Sequence, residues 1–419
     1  MIKRLLVGVL IFLQIGLAGN SVLHAQIFAP EASKALPAQY SSGFSRIDTI
    51  YVVCRSDANG DEYTGSLSAK PPFGYSGVNF SWNKYIEATN NYGPAFHTEN
   101  GVDVSTANDI TSGGFRVRIT DGGSLDNYYY AWLFVDTPYV ANRIQNFTCE
   151  YLAMNGFIGT APFSYFDPGS NAEISLQNGS KFEWTAEPHI DLPYPTLELN
   201  PVTYSPPYED TRFYLTVTDS MSCTDRASLF YETINVKADF APDPASGEAP
   251  LEVRFDNKSI NAVSYKWFFG NDTTSTLENP DPNIYFFPGS YEVVLAAVSE
   301  AGCIDSLSFN WIEVEPSSLD IPNVFTPNED GYNDYFYVSS TSLRTLHVKV
   351  MSRDGKKIYE FEGEGEGLKD WNGWDGKVRG GKYASPGVYC YIIEAQGWDF
   401  VDYPSKVYRG ALHLIRDKQ

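Results

Sequence analysis

Gly289-Ser290-Tyr291-Glu292-Val293-Val294-Leu295 is the stretch that decides the fold class. Its large apolar side chains fall on every second position, the period of a strand with one face turned to a core. The same period runs through Thr49-Ile50-Tyr51-Val52-Val53, Phe115-Arg116-Val117-Arg118-Ile119 and Phe213-Tyr214-Leu215-Thr216-Val217. Gly, Asn and Asp clusters bound these runs, and no long stretch shows a helical period of apolar residues. Short strands with turns about every 8–12 residues predict stacked sheets, so the chain reads as all-β with tandem sandwiches.

The bulk composition agrees. The 419 residues exceed what one core organises, which predicts about three or four domains. Aromatic residues make up 15%, with 29 Tyr and 26 Phe, and 34 Gly and 25 Pro supply turns between strands. Hydrophobic residues reach 43%, enough to bury a core and unlike a disordered chain. The net charge is −22, and becomes −24 (28 basic against 52 acidic residues) once Lys3 and Arg4 are set aside. Such a surface repels phosphate backbones and argues against a nucleic-acid partner. It suits solubility, with a cation-dependent surface as the sharper alternative.

Lys3-Arg4 followed by the apolar run Leu5 to Leu17, broken only by Gln14, reads as a cleavable signal peptide over 1–25. The run is too short to span a bilayer, and Ala25 suits a signal peptidase. No Cys lies near that point, so an N-terminal lipid anchor is not expected, and no later segment is apolar enough to cross a membrane.

Cys54, Cys149, Cys223, Cys303 and Cys390 are an odd set, so an exported chain must leave at least one thiol unpaired. A weak repeat of Cys, then Trp, then a late strand and turn helps to place them. It is whole in Cys149, Trp184 and Cys223; Cys54 and Trp82 lack the late cysteine, and Trp267 and Cys303 lack the early one. The late turn of the first segment is Thr120-Asp121-Gly122-Gly123-Ser124-Leu125-Asp126, and the later two align as Cys223-Thr224-Asp225 and Cys303-Ile304-Asp305. The repeat predicts three related modules, a disulfide between Cys149 and Cys223 inside the second, and Trp82, Trp184 and Trp267 as core residues. A Cys54–Cys303 bridge would have to link different modules and is not expected. The expected boundaries are a lead at 26–45, then Ig-like sandwiches at 46–140 and 141–236, a third at 237–316, and a C-terminal domain at 319–419. Val314-Glu315-Pro316-Ser317-Ser318 reads as the clearest linker and Glu362-Gly363-Glu364-Gly365-Glu366-Gly367 as a flexible exposed loop.

Catalytic signatures are missing. His97, His189, His347 and His413 are isolated in different segments, and there is no metalloprotease helix motif, nucleophile elbow or phosphate loop. No enzyme activity is expected. No cofactor is expected either; Ca²⁺ is a weak candidate at Asn328, Asp330, Asn333 and Asp334, against the reading that these are turn residues bonding their own backbone.

Two segments resemble known families. Residues 237–316 resemble a PKD-type Ig-like domain through Ala249-Pro250-Leu251, Tyr265-Lys266-Trp267-Phe268-Phe269-Gly270-Asn271-Asp272, Asn279-Pro280 with Tyr285, and Gly289–Leu295. The resemblance implies a spacer or interaction module. Residues 319–419 resemble the type B, gliding-motility-associated C-terminal sorting domain of the type IX secretion system of Bacteroidetes. Five ordered blocks carry that resemblance: Ile321 to Asp334 with Asn323, Phe325, Pro327, Asn328, Asp330, Gly331, Asn333 and Asp334; Val350 to Tyr359; Trp371 to Gly376 with Trp374, Asp375 and Gly376; Pro386 to Tyr389 with Gly387 and Tyr389; and Tyr408 to Arg416 with Gly410 and Arg416. Glu329 stands where the family often has Gly, and Asp354 where it often has Trp.

The resemblance implies export by the type IX machinery and retention at the cell surface through an outer-membrane protein of the PorP/SprF kind. The sandwiches would then bind an unknown protein or glycan ligand, acting in adhesion, binding or surface structure. The alternative is an accessory or signalling component of the secretion or gliding machinery. Asp48-Thr49-Ile50, Asp219-Ser220-Met221 and Asp305-Ser306-Leu307 also resemble the Bacteroidetes O-glycosylation triplet.

Overall fold

A computed structural model describes residues 27–55 and 63–416. The expected signal peptide lies outside them. Among the described residues every regular element apart from two short 3₁₀ turns is a strand, and the chain divides into two compact units.

The first unit comprises residues up to 205 and 210–231. Its first sandwich is built from β1 (Ile27–Phe28), β2 (Lys34–Pro37), β3 (Thr49–Cys54), β4 (Gly65–Ala69), β5 (Val78–Ile86), β6 (Asn91–Val102), β7 (Ser105–Ile110), β8 (Gly113–Thr120) and β9 (Asp126–Asp136). A three-stranded sheet, β1-β4-β7, faces a six-stranded sheet ordered β2-β3-β9-β8-β5-β6, with β3 and β9 parallel. Alternate residues fill the space between them: Val78, Phe80 and Trp82 from β5, Phe115, Val117 and Ile119 from β8, and Leu133 and Val135 from β9.

The second sandwich follows with β10 (Tyr139–Phe147), β11 (Leu152–Gly159), β12 (Phe163–Phe166), β13 (Glu173–Leu176), β14 (Ser180–Glu187), β15 (Val202–Thr203), β16 (Thr211–Asp219) and β17 (Thr224–Tyr231). Sheets β10-β11-β15 and β14-β16-β17 enclose Trp184, Phe213, Leu215 and Val217.

The two sandwiches are not beads on a string. All of Ala131 to Asp136 in β9 is buried, so that strand is covered on both faces. Ile50, Val52, Trp132 and Phe134 form the second covered face, and the β12–β13 hairpin supplies Phe163 and Tyr165 against them. Phe134 and Phe163 stack with ring centroids 4.6 Å apart. The turn that follows β16 adds Met221 and Cys223 to the same layer.

That shared layer overturns the expected disulfide. Cys223 is bonded to Cys54, not to Cys149, with Cα atoms 5.2 Å apart. Cys54 ends β3, beside the apolar face on which the 219–223 turn sits, so packing across the two sandwiches brings the thiols together where the repeat pointed within one. Cys390 is the free thiol and is exposed.

The residues expected as a lead are also structural. β1 pairs with β4 and β2 with β3. Trp132 Nε1 donates to the Tyr40 hydroxyl (2.9 Å), which donates to Asp48 (2.6 Å), and Arg46 grips Asp48 through two nitrogens (2.6 and 2.9 Å). Asp167 of the second sandwich accepts from Ser41 Oγ, Ser42 N and Ser42 Oγ at 3.1, 2.7 and 2.6 Å. Buried polar groups with this many partners hold a segment in place.

The second unit comprises 206–209 and 232–419. Its first sandwich has β18 (Phe240–Asp243), β19 (Ser246–Glu248), β20 (Leu251–Asn257), β21 (Ser264–Phe268), β22 (Thr274–Ser275), β23 (Asn283–Tyr285), β24 (Gly289–Val298) and β25 (Ile304–Glu315). Sheets β18-β20-β23 and β19-β25-β24-β21-β22 enclose Trp267, Phe269, Tyr285, Val293, Leu295 and Ala297. The alternation in 291–295 thus places Val293 and Leu295 in the core.

The C-terminal domain has β26 (Ser318–Asp320), β27 (Val324–Phe325), β28 (Ser339–Thr341), β29 (Leu343–Met351), β30 (Lys357–Glu364), β31 (Gly387–Gly397), β32 (Asp402–Tyr403) and β33 (Arg409–Leu414). Its main sheet runs β27-β33-β31-β29-β30, with β32 added to β31. The inner face is roofed by the β26–β28 pair and by residues from the 326–338 and 368–386 loops, including Phe336, Trp371, Trp374 and Ala384.

Two expected loops are ordered elements. The Gly/Glu run is the end of edge strand β30 followed by a 3₁₀ turn over Gly365–Leu368. The expected linker is a weld: only Pro316 and Ser317 separate β25 from β26. Ser317 N donates to Asp399 (2.9 Å), and the Ser317 hydroxyl lies 2.9 Å from that of Tyr403. Ser342 is 1% exposed; its hydroxyl donates to Glu315 O (2.7 Å) and accepts from Ala249 N (2.9 Å). Trp398 packs on the core of the preceding sandwich.

The aligned late turns are one device used four times. Asp121 N donates to Leu125 O (3.2 Å), Asp219 N to Cys223 O (3.0 Å), Ser299 N to Cys303 O (2.9 Å) and Ser352 N to Lys356 O (2.8 Å). In each, the first residue's side chain accepts the fifth residue's N–H, at 2.9, 2.9, 3.1 and 3.1 Å respectively. Asp and Ser do this because a short oxygen-bearing side chain reaches the unpaired amides of a tight turn.

Candidate functional site

The C-terminal sequence blocks converge at one end of the last domain, the second of them through Tyr359, whose ring stacks on Trp374 at 5.9 Å. Phe325 in β27 pairs in parallel with Leu414 of β33. Its ring packs on Trp374, centroids 5.2 Å apart, and on Phe336 at 6.2 Å. Trp374 is fully buried, donates Nε1 to Lys377 O (2.7 Å), and bridges its backbone to Phe336 in both directions (2.8 and 3.0 Å). Tyr389 meets the Trp374 ring edge-on at 5.8 Å and donates its hydroxyl to Ser385 O at 2.7 Å.

Gly376 has φ +76°, and a Cβ there would lie 2.9 Å from Pro327 Cγ, so only glycine lets the third block pack on the first. Gly410 lies further along β33, opposite Tyr391, where a Cβ would fall 2.5 Å from the Tyr391 hydroxyl. Asn323 contributes its carbonyl, which accepts from His413 N at 2.8 Å. Gly387 opens β31 opposite Leu414.

The Asn328-to-Asp334 loop is organised around one carboxylate. Asp334 accepts from the backbone of Asn328 (2.9 Å), Glu329 (2.7 Å) and Gly331 (2.8 Å). Asp330 accepts from Tyr332 N and from Asn328 Nδ2, both 2.8 Å, and Asn333 O accepts from Thr326 N at 2.7 Å. The suggested Ca²⁺ ligands Asn328, Asp330 and Asp334 thus engage the loop's own donors. Partial desolvation raises the Asp334 pKa, but the Gly331, Glu329 and Asn328 amides outweigh it and hold the carboxyl below its usual range.

A lowered pKa means this contribution is present at neutral pH and is lost as pH falls through the folded-state value. Asp334→Ala should therefore abolish amide-exchange protection at Asn328, Glu329 and Gly331 while leaving the melting temperature nearly unchanged. Retained protection in the variant would remove Asp334 from this role.

Sequence reasoning missed Tyr383. Its hydroxyl donates to Glu329 Oε1 at 2.5 Å, and Arg416 lies 4.3 Å and Lys377 4.9 Å from its ring. Arg416 Nη2 also donates to Ala384 O at 3.0 Å. Lys377 in turn pairs with Asp375 at 3.2 Å. Tyr383 lies between the motif blocks, with no pattern of its own to mark it. Glu329 has φ +65°, a conformation that explains why Gly suits this position, and the Tyr383 bond anchors its side chain here. Around this framework Tyr332, Tyr335 and Tyr337 stand exposed. An array of backbone-satisfied carboxylates, stacked cations and open phenols is suited to binding a surface, with no nucleophile–base pair among them.

Elsewhere, Trp82, Trp184 and Trp267 are buried as expected. The histidines remain apart: His97 lies by Glu99 (3.4 Å), His189 by Asp191 (3.6 Å), and His347 by Glu360 (3.2 Å), while His413 is on β33. In the three triplets, Asp48 and Asp219 make the bonds described above and Asp305 accepts from Ala238 N at 2.8 Å.

These features define the class, an all-β chain of tandem β-sandwiches with a terminal domain whose motifs gather at one loop-bearing end. Residues 319–408 match the CHU_C type IX secretion signal domain. No curated protein matches the sequence. A solution NMR structure of a protein from Methanosarcina mazei is 36% identical over 21% of this chain, has a TM-score of 0.18, and is spanned over only 58% of its own length. Sidekick-1 immunoglobulin domains 1–5 align over 91% of this chain and 81% of theirs at 10% identity, TM-score 0.27. Dimeric latent PorU from Porphyromonas gingivalis aligns over 69% of this chain and 35% of its own at 11% identity, TM-score 0.18.

Proposed function

We propose that this is a non-enzymatic surface protein, exported by type IX secretion, held at the outer membrane by its C-terminal domain, and presenting its sandwiches to a protein or glycan ligand. The match of residues 319–408 to a type IX secretion signal domain carries this reading. The Ser342 and Ser317 contacts support it, because a domain held on a membrane partner through its loop-bearing end would keep the preceding sandwich at a set orientation. The anchoring partner would be a PorP/SprF-like protein that recognises the 328–334 loop and its tyrosines. The PKD-type character of 237–316 and a surface or outer-membrane location in Bacteroidetes belong to the same reading.

Fractionation of cells carrying the full chain or a chain ending at residue 318 tests it. The full chain should be cleaved by protease added to intact cells, and the shortened chain should stay protected inside the envelope. Equal surface cleavage of both would overturn the reading. Broad loss of other secreted proteins in a deletion strain would instead favour an accessory role in the secretion machinery.

A further inference from the structure

Asp136 closes β9 and Asp219 closes β16, and the two carboxylates are buried at 0% and 6% exposure. Asn178, in the turn before β14, donates Nδ2 to Asp136 Oδ2 and to Asp219 Oδ2, each at 3.0 Å. Asp219 Oδ1 is occupied by the N–H groups of Met221 and Cys223, both 2.9 Å. Asp136 Oδ1 and Asn178 Oδ1 are buried with no hydrogen-bond partner among the described residues. Among the described residues no Lys, Arg or His forms an ion pair with either carboxylate, and the two carboxyls face each other.

Two buried carboxylates that face each other are disfavoured when both are ionised and no counter-charge is present. Burial first, and then the facing Asp219, push the Asp136 pKa upward, whereas at Asp219 burial is outweighed by the bonds to Asp136, Asn178, Cys223 and Met221, which hold its pKa below the usual range. We propose that Asp136, Asp219 and Asn178 form a binding site for a divalent cation of the Ca²⁺/Mg²⁺ class at the seam of the two sandwiches in the first unit.

The donor set fits a hard cation. The oxygen and nitrogen of a side-chain amide exchange places by a half-turn about its terminal bond. That turn would set Asn178 Oδ1 at the 3.0 Å positions its nitrogen now holds toward both carboxylates. Two of the three edges, Asn178 to each carboxylate, would then be 3.0 Å, the edge of an octahedron at metal–oxygen distances of about 2.1 Å, and a modest expansion admits Ca²⁺. The rotation brings one unpartnered oxygen, Asn178 Oδ1, to the ion, and unpartnered Asp136 Oδ1 remains as a further donor. Cys223 Sγ lies within 4.8 Å of the carboxylates but is committed to Cys54, which disfavours thiolate-seeking metals. Asp136 belongs to the first sandwich and Asn178 and Asp219 to the second, so the ion would clasp the seam beside the disulfide.

The test is thermal unfolding of the full chain after EDTA treatment, titrated with CaCl₂ or MgCl₂, with Tb³⁺ luminescence as the direct binding readout. The melting temperature should rise saturably, by about 5–10 °C at free ion ~100-fold above Kd. Asp136→Asn should lose that rise and the Tb³⁺ signal. If Asp136→Asn does not fold, Asn178→Asp decides: added charge should tighten ion binding and lower the ion-free melting temperature. No saturable rise in the wild type, an equal rise in wild type and Asp136→Asn, or Asn178→Asp binding no tighter than wild type would overturn the proposal and leave a proton as the pair's positive charge.

Discussion

Trp374→Ala should cost about 3–5 kcal/mol and unfold the C-terminal domain ahead of the rest of the chain. The indole is fully buried and touches Phe325, Tyr359 and Tyr389, with centroids 5.2, 5.9 and 5.8 Å away. It links the roof to the sheet, because its own backbone pairs with Phe336 while Nε1 closes the 374–377 turn. Truncation would leave a cavity among aromatic side chains that cannot collapse to fill it, and the 326–338 and 368–386 loops would lose their common support. Urea denaturation followed by tyrosine and tryptophan fluorescence measures the loss, with an early transition assigned to this domain. A change under about 1 kcal/mol would mean the roof stands without it. If the loop end is the export signal, the same variant should also fail to reach the surface.

The second large effect is expected at the disulfide. Cys54 and Cys223 are 169 residues apart, and on the chain-entropy model a loop of that size stabilises by about 5 kcal/mol, with native-state relaxation lowering the measured figure toward about 2. Cys54→Ser should therefore lower the urea midpoint of the first unit strongly. Peptide mapping without reductant should recover the Cys54 and Cys223 peptides joined. Recovery of Cys223 joined to Cys149 would overturn the assignment. The loss should concentrate in the layer formed by Ile50, Val52, Trp132, Phe134, Phe163 and Met221, since the bond lies against it.

Local pattern carried far in this chain, and the reason is physical. A strand with one buried face must alternate, so Val293, Leu295, Val117 and Phe213 could be assigned to cores from spacing alone. A five-residue turn needs a short acceptor at its first position, so the aligned segments at Asp219 and Ser299 proved to be the same structure. The motif blocks at 323–334, 371–376, 386–389 and 408–416 were legible too, because each combines turn formers with a buried aromatic. Their convergence at one end was not, since it depends on β27 lying parallel to β33 across some ninety residues of chain.

What the sequence determined by itself is therefore the class of element, the core face of each strand, the turn chemistry and the motifs of the last domain. Tertiary structure alone decided which thiol meets Cys54, that β9 is covered on both faces, that Ser342 welds two domains where a linker was expected, and that Asp136, Asn178 and Asp219 share one buried space. Each of these is a contact between residues far apart in the chain, set by how apolar faces stack. Periodicity states that a face is apolar, and only packing selects what covers it.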